Sequence, residues 1–151
     1  ALSSRGRHTM SGFFVEIEIK TRILKYYNAS HIPAVVLPAR PTLNLSWQNM
    51  NFLDAPISPV IGTANKEMFV CGRHQLIEGE RVVLLTDGVV ERKNAEGQML
   101  SERKFFSSML DLYLKNPVRI EPFIDGLFHI SDSHAGSALQ DDDLTAVVID
   151  I

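Results

Sequence analysis

The sequence predicts an α+β domain of mostly antiparallel β-sheet packed with helices. Three observations predict it. Phe13, Val15, Ile17 and Ile19 alternate with Phe14, Glu16, Glu18 and Lys20, the period of two of a strand with one buried face. Val82-Val83-Leu84-Leu85 is apolar at every position, as in a central strand covered on both faces. Between Phe105 and Phe128 the apolar residues recur at three- and four-residue spacing, the helical period, before a last apolar run closes the chain. Strands, then helices, then a strand is the order of an α+β domain. With 151 residues, 45% hydrophobic residues and a formal charge of −3, the chain has the length of one domain and is too apolar for intrinsic disorder.

The elements follow in order. Ala1 to Thr9 is polar and without period, and reads as a flexible or cut end; order is expected over 10–151. Thr21-Arg22 interrupts the first strand, and Ile23 to Asn28 resumes as its hairpin partner. Ala34 to Leu37 is a third strand, broken by Pro38 and Pro41. Leu43 to Asp54 reads as an edge strand and a loop carrying the single Trp47. Pro59-Val60-Ile61-Gly62 is a turn, Met68 to Leu76 is strand-like, and Glu78-Gly79-Glu80 turns into the apolar run from Val82. Ser101 caps a helix with Phe105, Phe106, Met109, Leu110, Leu112 and Tyr113 inward, and Asn116-Pro117 stops it. A second helix is expected from Pro117 to about Ile130, with Ile120, Phe123, Ile124, Leu127 and Phe128 inward. Ser131 to Gln140 reads as a polar loop, and Leu144 to Ile151 as the last strand.

Composition excludes several functions. A pI near 5.9 gives no basic field, so binding nucleic acid through its phosphates is not expected. The lone Cys71 permits neither an internal disulfide nor a cysteine-based zinc knuckle, and reads as an inert half-buried residue. No apolar run approaches the roughly 20 residues of a membrane span, and no signal-peptide core is present. A cytoplasmic protein without membrane contact is the expectation.

Two aspartates stand at strand boundaries. Asp87 follows Val82–Leu85 and precedes Gly88, which permits a sharp turn and close backbone approach. Asp142 lies in Asp141-Asp142-Asp143, just before the last strand. If those strands are neighbours, their carboxylates converge at one sheet end and require a cation or a proton. Magnesium and manganese take oxygen ligands of this kind and keep waters, one of which becomes a nucleophile when deprotonated. An Asp-Gly turn and a solvated acidic loop are the ordinary alternatives. The triplet lacks the alternating ligands and central glycine of a calcium-binding loop.

Several runs occur in a familiar order. They are Tyr27-Asn28-Ala29-Ser30-His31-Ile32-Pro33, Pro59-Val60-Ile61-Gly62, Leu76 to Glu91 with Thr86-Asp87-Gly88 at its core, and Asp142-Asp143-Leu144-Thr145. The chain resembles the metal-dependent type 2C (PPM-type) serine/threonine protein phosphatases, in their bacterial SpoIIE/RsbU-like branch, from about Met10 to Ile151. The resemblance implies an α-β-β-α sandwich of two sheets between helices, incomplete at the N-terminus. It also implies a binuclear manganese or magnesium site with Asp87 and Asp142 as metal ligands, and Gly88, Asp143 and His31 in support. His31 reads as a hydrogen-bonding, structural histidine. The implied substrate is phosphoserine or phosphothreonine on a bacterial regulatory protein, for example an anti-sigma factor antagonist, within signal transduction. An upstream sensory or receiver domain is implied as well.

The departures carry expectations of their own. The family has an earlier Gly-Asp segment whose aspartate bridges both metals, and a helix with a His-Gly pair; neither is found here. Glu16 and Glu18 read as solvent-facing or cross-strand charges. The chain therefore resembles the C-terminal two-thirds of the domain, with weak or absent metal binding and no activity as it stands. A non-catalytic phosphatase-like binding module is the alternative reading. Ser30 stands where the family has glycine, and Glu80 where it has aspartate. An unpaired sheet edge leaves the chain open to pairing as a homodimer.

Overall fold

The alternation that opens the chain forms β1 (Gly12–Glu18), which pairs antiparallel with β2 (Ile23–Ala29). The structure is a computed structural model and describes residues 8–40, 44–63, 69–115 and 119–151. Seven of the nine residues of the expected flexible end, the beginning of the strand expected from Met68 and the helix start expected at Pro117 lie outside the described residues. Phe14 lies opposite Tyr27 and Glu16 opposite Lys25. Lys25 Nζ is 2.9 Å from Glu16 Oε1, so Glu16 is the cross-strand charge that the alternation suggests. Ile19 departs from the expectation of a buried face and is 88% exposed. The strand ends one residue earlier, because Glu18 O already accepts the Arg22 N–H at 2.7 Å.

β3 (Val35–Leu37), β4 (Asn51–Phe52), β5 (Ile57–Ser58), β6 (Gly72–Gln75), β7 (Arg81–Leu85) and β8 (Ala146–Asp150) complete the strands. β2 carries β1 on one side, with β5 and β6 on the other; among the described residues only the β2–β5 pairing is parallel. The second sheet runs β4-β3-β7-β8, all antiparallel. Leu43, where the edge strand is expected to begin, lies outside the described residues; over 44–54 the strand is just the two residues of β4, after a short 3-10 turn at Trp47–Asn49. β6 is shorter than the run Met68 to Leu76 suggested.

The uninterrupted apolar run does become the central strand. Val83 and Leu85 of β7 point into a core shared with the helices, while Val82 and Leu84 face the first sheet. The helices are α1 (Asp87–Val90), α2 (Glu102–Lys115) and α3 (Ile120–Ala135). Phe105, Phe106, Met109, Leu110 and Tyr113 of α2 and Phe123 and Leu127 of α3 are buried there. The described layers are thus sheet, sheet and helices, and the outer face of the first sheet leaves Phe14 and Tyr27 partly exposed. The polar loop expected from Ser131 is instead helical as far as Ala135. Ser131 is fully buried and donates its hydroxyl to Val89 O at 2.5 Å, which satisfies a polar side chain that otherwise reads as loop. No helix among the described residues is long and apolar enough to cross a membrane.

At the start of β7, Arg81 is buried against the rings of Tyr113 and Phe123, with its guanidinium carbon 4.9 Å from the Phe123 centroid. It donates from Nε and Nη2 to the two carboxylate oxygens of Asp150 at 2.5 and 2.9 Å. This bidentate pair fastens the far end of β7 to β8.

Candidate metal centre

The opposite end of the β7–β8 pair holds the two aspartates that the sequence singles out. Leu85 lies opposite Ala146, and Thr86 continues the pairing beyond the last ladder residue. Its N–H donates to Thr145 O at 3.0 Å, and its hydroxyl accepts the Thr145 N–H at 2.9 Å. The same hydroxyl donates to Asp143 O at 3.2 Å. A hydroxyl that accepts from one residue and donates to another binds the incoming loop to the strand end at two points.

Asp87 then opens α1, and Gly88 settles the packing. A Cβ on Gly88 would lie 2.5 Å from Asp143 O and 3.3 Å from Asp142 Cβ. Only a residue without a side chain lets the two segments approach so closely. Asp87–Gly88 and Asp142–Asp143 are therefore in contact across adjoining strand ends. Both acidic side chains are exposed. Each turns one oxygen to its own loop: Asp87 Oδ1 accepts the Gly88 N–H at 3.0 Å, and Asp142 Oδ1 accepts the Asp143 N–H at 2.7 Å. Among the described residues no hydrogen bond or ion pair engages the second oxygen of either carboxylate. Beside Asp142 is a recess of about 120 Å³ lined by Gly88, Glu91, Lys93, Met99, Asp141 and Asp142; Asp87 reaches it only through its neighbour Gly88.

These donors suit a hard divalent cation in kind, being carboxylate oxygens at a wet surface. In number they fall short of a complete ligand set. Among the described residues no three His, Cys, Asp or Glu side chains are grouped so as to hold a metal ion. Asp143 contributes through its backbone, and its side chain is exposed. His31 lines a recess with Thr86 and Thr145 on the flank of the same strand ends. Its backbone N–H donates to Asn28 Oδ1 at 2.8 Å, and its Nδ1 donates to Ile32 O at 3.0 Å.

A family model described as Stage II sporulation protein E (SpoIIE) matches residues 2–151. The chain belongs to the SpoIIE family. Solved structures share the fold of this SpoIIE-family chain at low sequence identity. The SiaA-PP2C domain of Pseudomonas aeruginosa superposes with a TM-score of 0.69 at 17% identity, over 95% of this chain and 52% of that one. The RsbU and RsbW domains of Rv1364c from Mycobacterium tuberculosis give 0.61 at 18% identity, over 91% of this chain and 35% of that one. The phosphatase domain of SpoIIE from Bacillus subtilis (Mn presoaked) gives 0.59 at 17% identity, over 99% of this chain and 59% of that one. The SpoIIE-family chain thus spans about half the length of the SiaA chain it matches. A search of curated proteins found no match.

Sequence reasoning missed two residues beside the SpoIIE-family aspartates. Arg92 is buried; it donates from Nη1 to Leu139 O at 3.1 Å and lies 3.7 Å from Asp141 Oδ1. Lys93 Nζ is 2.9 Å from Asp141 Oδ2. The hydrogen bond from Lys93 holds the Asp141 carboxyl below its ordinary value, and the same bond raises the Lys93 ammonium. Asp141, the member of the triplet with no role implied by resemblance, is therefore engaged by cations of the protein itself. Forty-eight residues separate Lys93 from Asp141, and no local pattern announces a pair at that distance.

Proposed function

We propose that this SpoIIE-family chain supplies the Asp87 and Asp142 half of a metal-dependent phosphatase centre acting on phosphoserine or phosphothreonine. The substrate we propose is a phosphorylated bacterial regulatory protein, such as an anti-sigma factor antagonist. The observation that carries the proposal is the packing of Gly88 onto Asp142–Asp143, which brings the two acidic segments together at one exposed sheet end. Asp87 and Asp142 would hold manganese or magnesium through their second oxygens. Such an ion, when bound, supplies an activated water and neutralises charge on phosphoryl oxygens.

The chain's own residues do the rest by position. Thr86 fixes the loop to the strand, Gly88 admits the approach, and His31 braces the turn after β2 through its two hydrogen bonds. Because this chain spans about half of the SiaA chain it matches, catalysis belongs in the proposal to an intact domain that also carries a bridging ligand. The test is phosphate release from a phosphoserine peptide by such an intact domain. Turnover is expected with manganese or magnesium, and loss with chelator or with Asp142→Ala. Equal turnover in excess chelator overturns the reading.

That no three His, Cys, Asp or Glu side chains among the described residues are grouped to hold a metal ion favours a second reading, a phosphatase-like module that binds a partner without hydrolysis. That reading expects no phosphate release at high manganese, with the partner still bound. Cytoplasmic location, an upstream sensory or receiver domain, and homodimers paired through β1 or β8 belong to the same proposal. The last rests on the outer edges of β1 and β8, which have no paired strand among the described residues.

A further inference from the structure

Arg92 is a poor investment if stability alone is considered. Its side chain is 6% exposed, and its nearest carboxylate oxygen is 3.7 Å away. Its Nε is buried with no hydrogen-bond partner. A buried cation so loosely paired contributes little to folding, and a residue of similar volume without charge would serve as well. What Arg92 does reach is informative. It holds Leu139 O and stands next to Asp141. Lys93, the following residue, holds the other oxygen of Asp141.

Both cations sit on a stiff support. Leu100 N–H donates to Arg92 O at 2.7 Å, and Lys93 bridges Met99 across a short hairpin. Asn94 closes the tip by accepting the N–H groups of Glu96 and Gln98 on its side-chain oxygen. His134 Nε2 donates to Gln98 O at 2.9 Å, which ties the hairpin to α3. The loop that carries Asp142 is thus held at residue 139 by Arg92, at 141 by Arg92 and Lys93, and at 143 and 145 by Thr86. Asp142 lies between these fixed points.

We propose that Arg92 and Lys93 are positioning residues that clamp Asp141, and through it hold the Asp142 carboxylate against Asp87–Gly88 before any cation arrives. The inference rests on the metal reading of Asp87 and Asp142, and deepens it. It separates cleanly from simple electrostatics, because the two expect opposite signs for one substitution. Lys93→Met removes a positive charge beside the aspartates, so a purely Coulombic account expects tighter binding of a divalent cation. The clamp expects weaker binding, because the loop loses its anchor. Partners that orient metal ligands are worth about 10- to 100-fold in affinity.

The experiment is a titration of the 151-residue chain with Mn²⁺ alone, read by the electron paramagnetic resonance of the free ion. Parent, Lys93→Met, Arg92→Met and Asp142→Ala are compared, together with metal-free amide exchange at Asp142, Asp143 and Thr145. The clamp expects Lys93→Met to weaken Mn²⁺ binding about tenfold and to speed exchange of the loop amides without metal. Lys93 is half-exposed, so Lys93→Met leaves the core untouched and carries the test by itself. Binding that is unchanged or tighter in Lys93→Met, with Asp142→Ala still abolishing it, overturns the clamp and leaves the metal reading standing. Unchanged loop exchange in Lys93→Met likewise overturns the clamp. Mn²⁺ binding that survives in Asp142→Ala overturns the metal reading, and the clamp with it; where the two carboxylates alone retain no ion, the exchange measurement decides the clamp.

Discussion

The β7–β8 pair ends in acidic side chains at both extremities, and the two ends treat them in opposite ways. At one end Asp150 is matched by the bidentate Arg81, whose guanidinium is buried against Tyr113 and Phe123. At the other, Asp87 and Asp142 are exposed, and each has one oxygen with no partner among the described residues. The first end spends its charges on holding two strands together. The second spends backbone and hydroxyl bonds on that task, through Thr86 and Gly88, and leaves its carboxylates available. A charge the fold does not need is the one available for chemistry.

The largest expected effect breaks the closed end. Asp150→Ala strands a buried guanidinium that already has one unpartnered nitrogen, Nη1. Urea unfolding is expected to show a loss of about 2–4 kcal/mol. Replacing both partners, as Arg81→Met with Asp150→Val, is expected to recover most of that loss, because two apolar groups leave no unpaired charge. Asp87→Ala and Asp142→Ala are expected to change stability by less than about 0.5 kcal/mol in the same assay. A cost at Asp142 as large as that at Asp150 would erase the contrast between the ends.

Gly88→Ala comes next. Its methyl would lie 2.5 Å from a backbone oxygen of Asp143, so the strand tips must part, at about 1–3 kcal/mol by urea unfolding. Unaltered stability would mean the two segments are not in contact. A smaller gain is expected near the same end. Ser30 has a φ of +52°, a left-handed conformation that costs a side chain roughly 1–2 kcal/mol. Its hydroxyl recovers part of that by donating to Ser58 O at 3.1 Å. Ser30→Gly is expected to raise stability by up to about 1 kcal/mol, and a fall in melting temperature would contradict the strain.

The smallest effect is in pH. Asp141 is lowered from its ordinary 3.8 by Lys93, and Lys93 is raised from its ordinary 10.5 by Asp141. A lowered carboxyl stabilises the fold above its ordinary value, and that contribution is lost as pH falls through the lowered value. A raised ammonium stabilises below its ordinary value, and that contribution is lost as pH rises through the raised one. The stability difference between parent and Lys93→Met should therefore be full between 3.8 and 10.5 and vanish in strong acid. A difference that persists in strong acid would contradict the pairing.

Much of the fold is legible in the sequence because burial there follows a period. β7 declares itself through four consecutive apolar residues, since both of its faces are covered. α2 and the body of α3 show a helical stripe. Legibility fails where polar residues are buried by tertiary partners. Ser131 reads as loop but lies inside α3, satisfied by Val89 O from another helix. Ile19 fails the other way, since alternation continues in the letters after the chain has begun to turn. At the site, Asp87-Gly88 and Asp142 are visible because each stands beside a strand. Arg92 and Lys93 are not, because their partner lies in a distant loop and only the folded chain unites them.

The central claim is that Asp87 and Asp142 share one divalent cation. It is tested most directly by calorimetric titration of the chain with Mn²⁺, for the parent, Asp87→Ala, Asp142→Ala and the double variant. One shared ion predicts weak binding by the parent, and its loss in either single variant as complete as in the double. Full retention of binding in either single variant would contradict it.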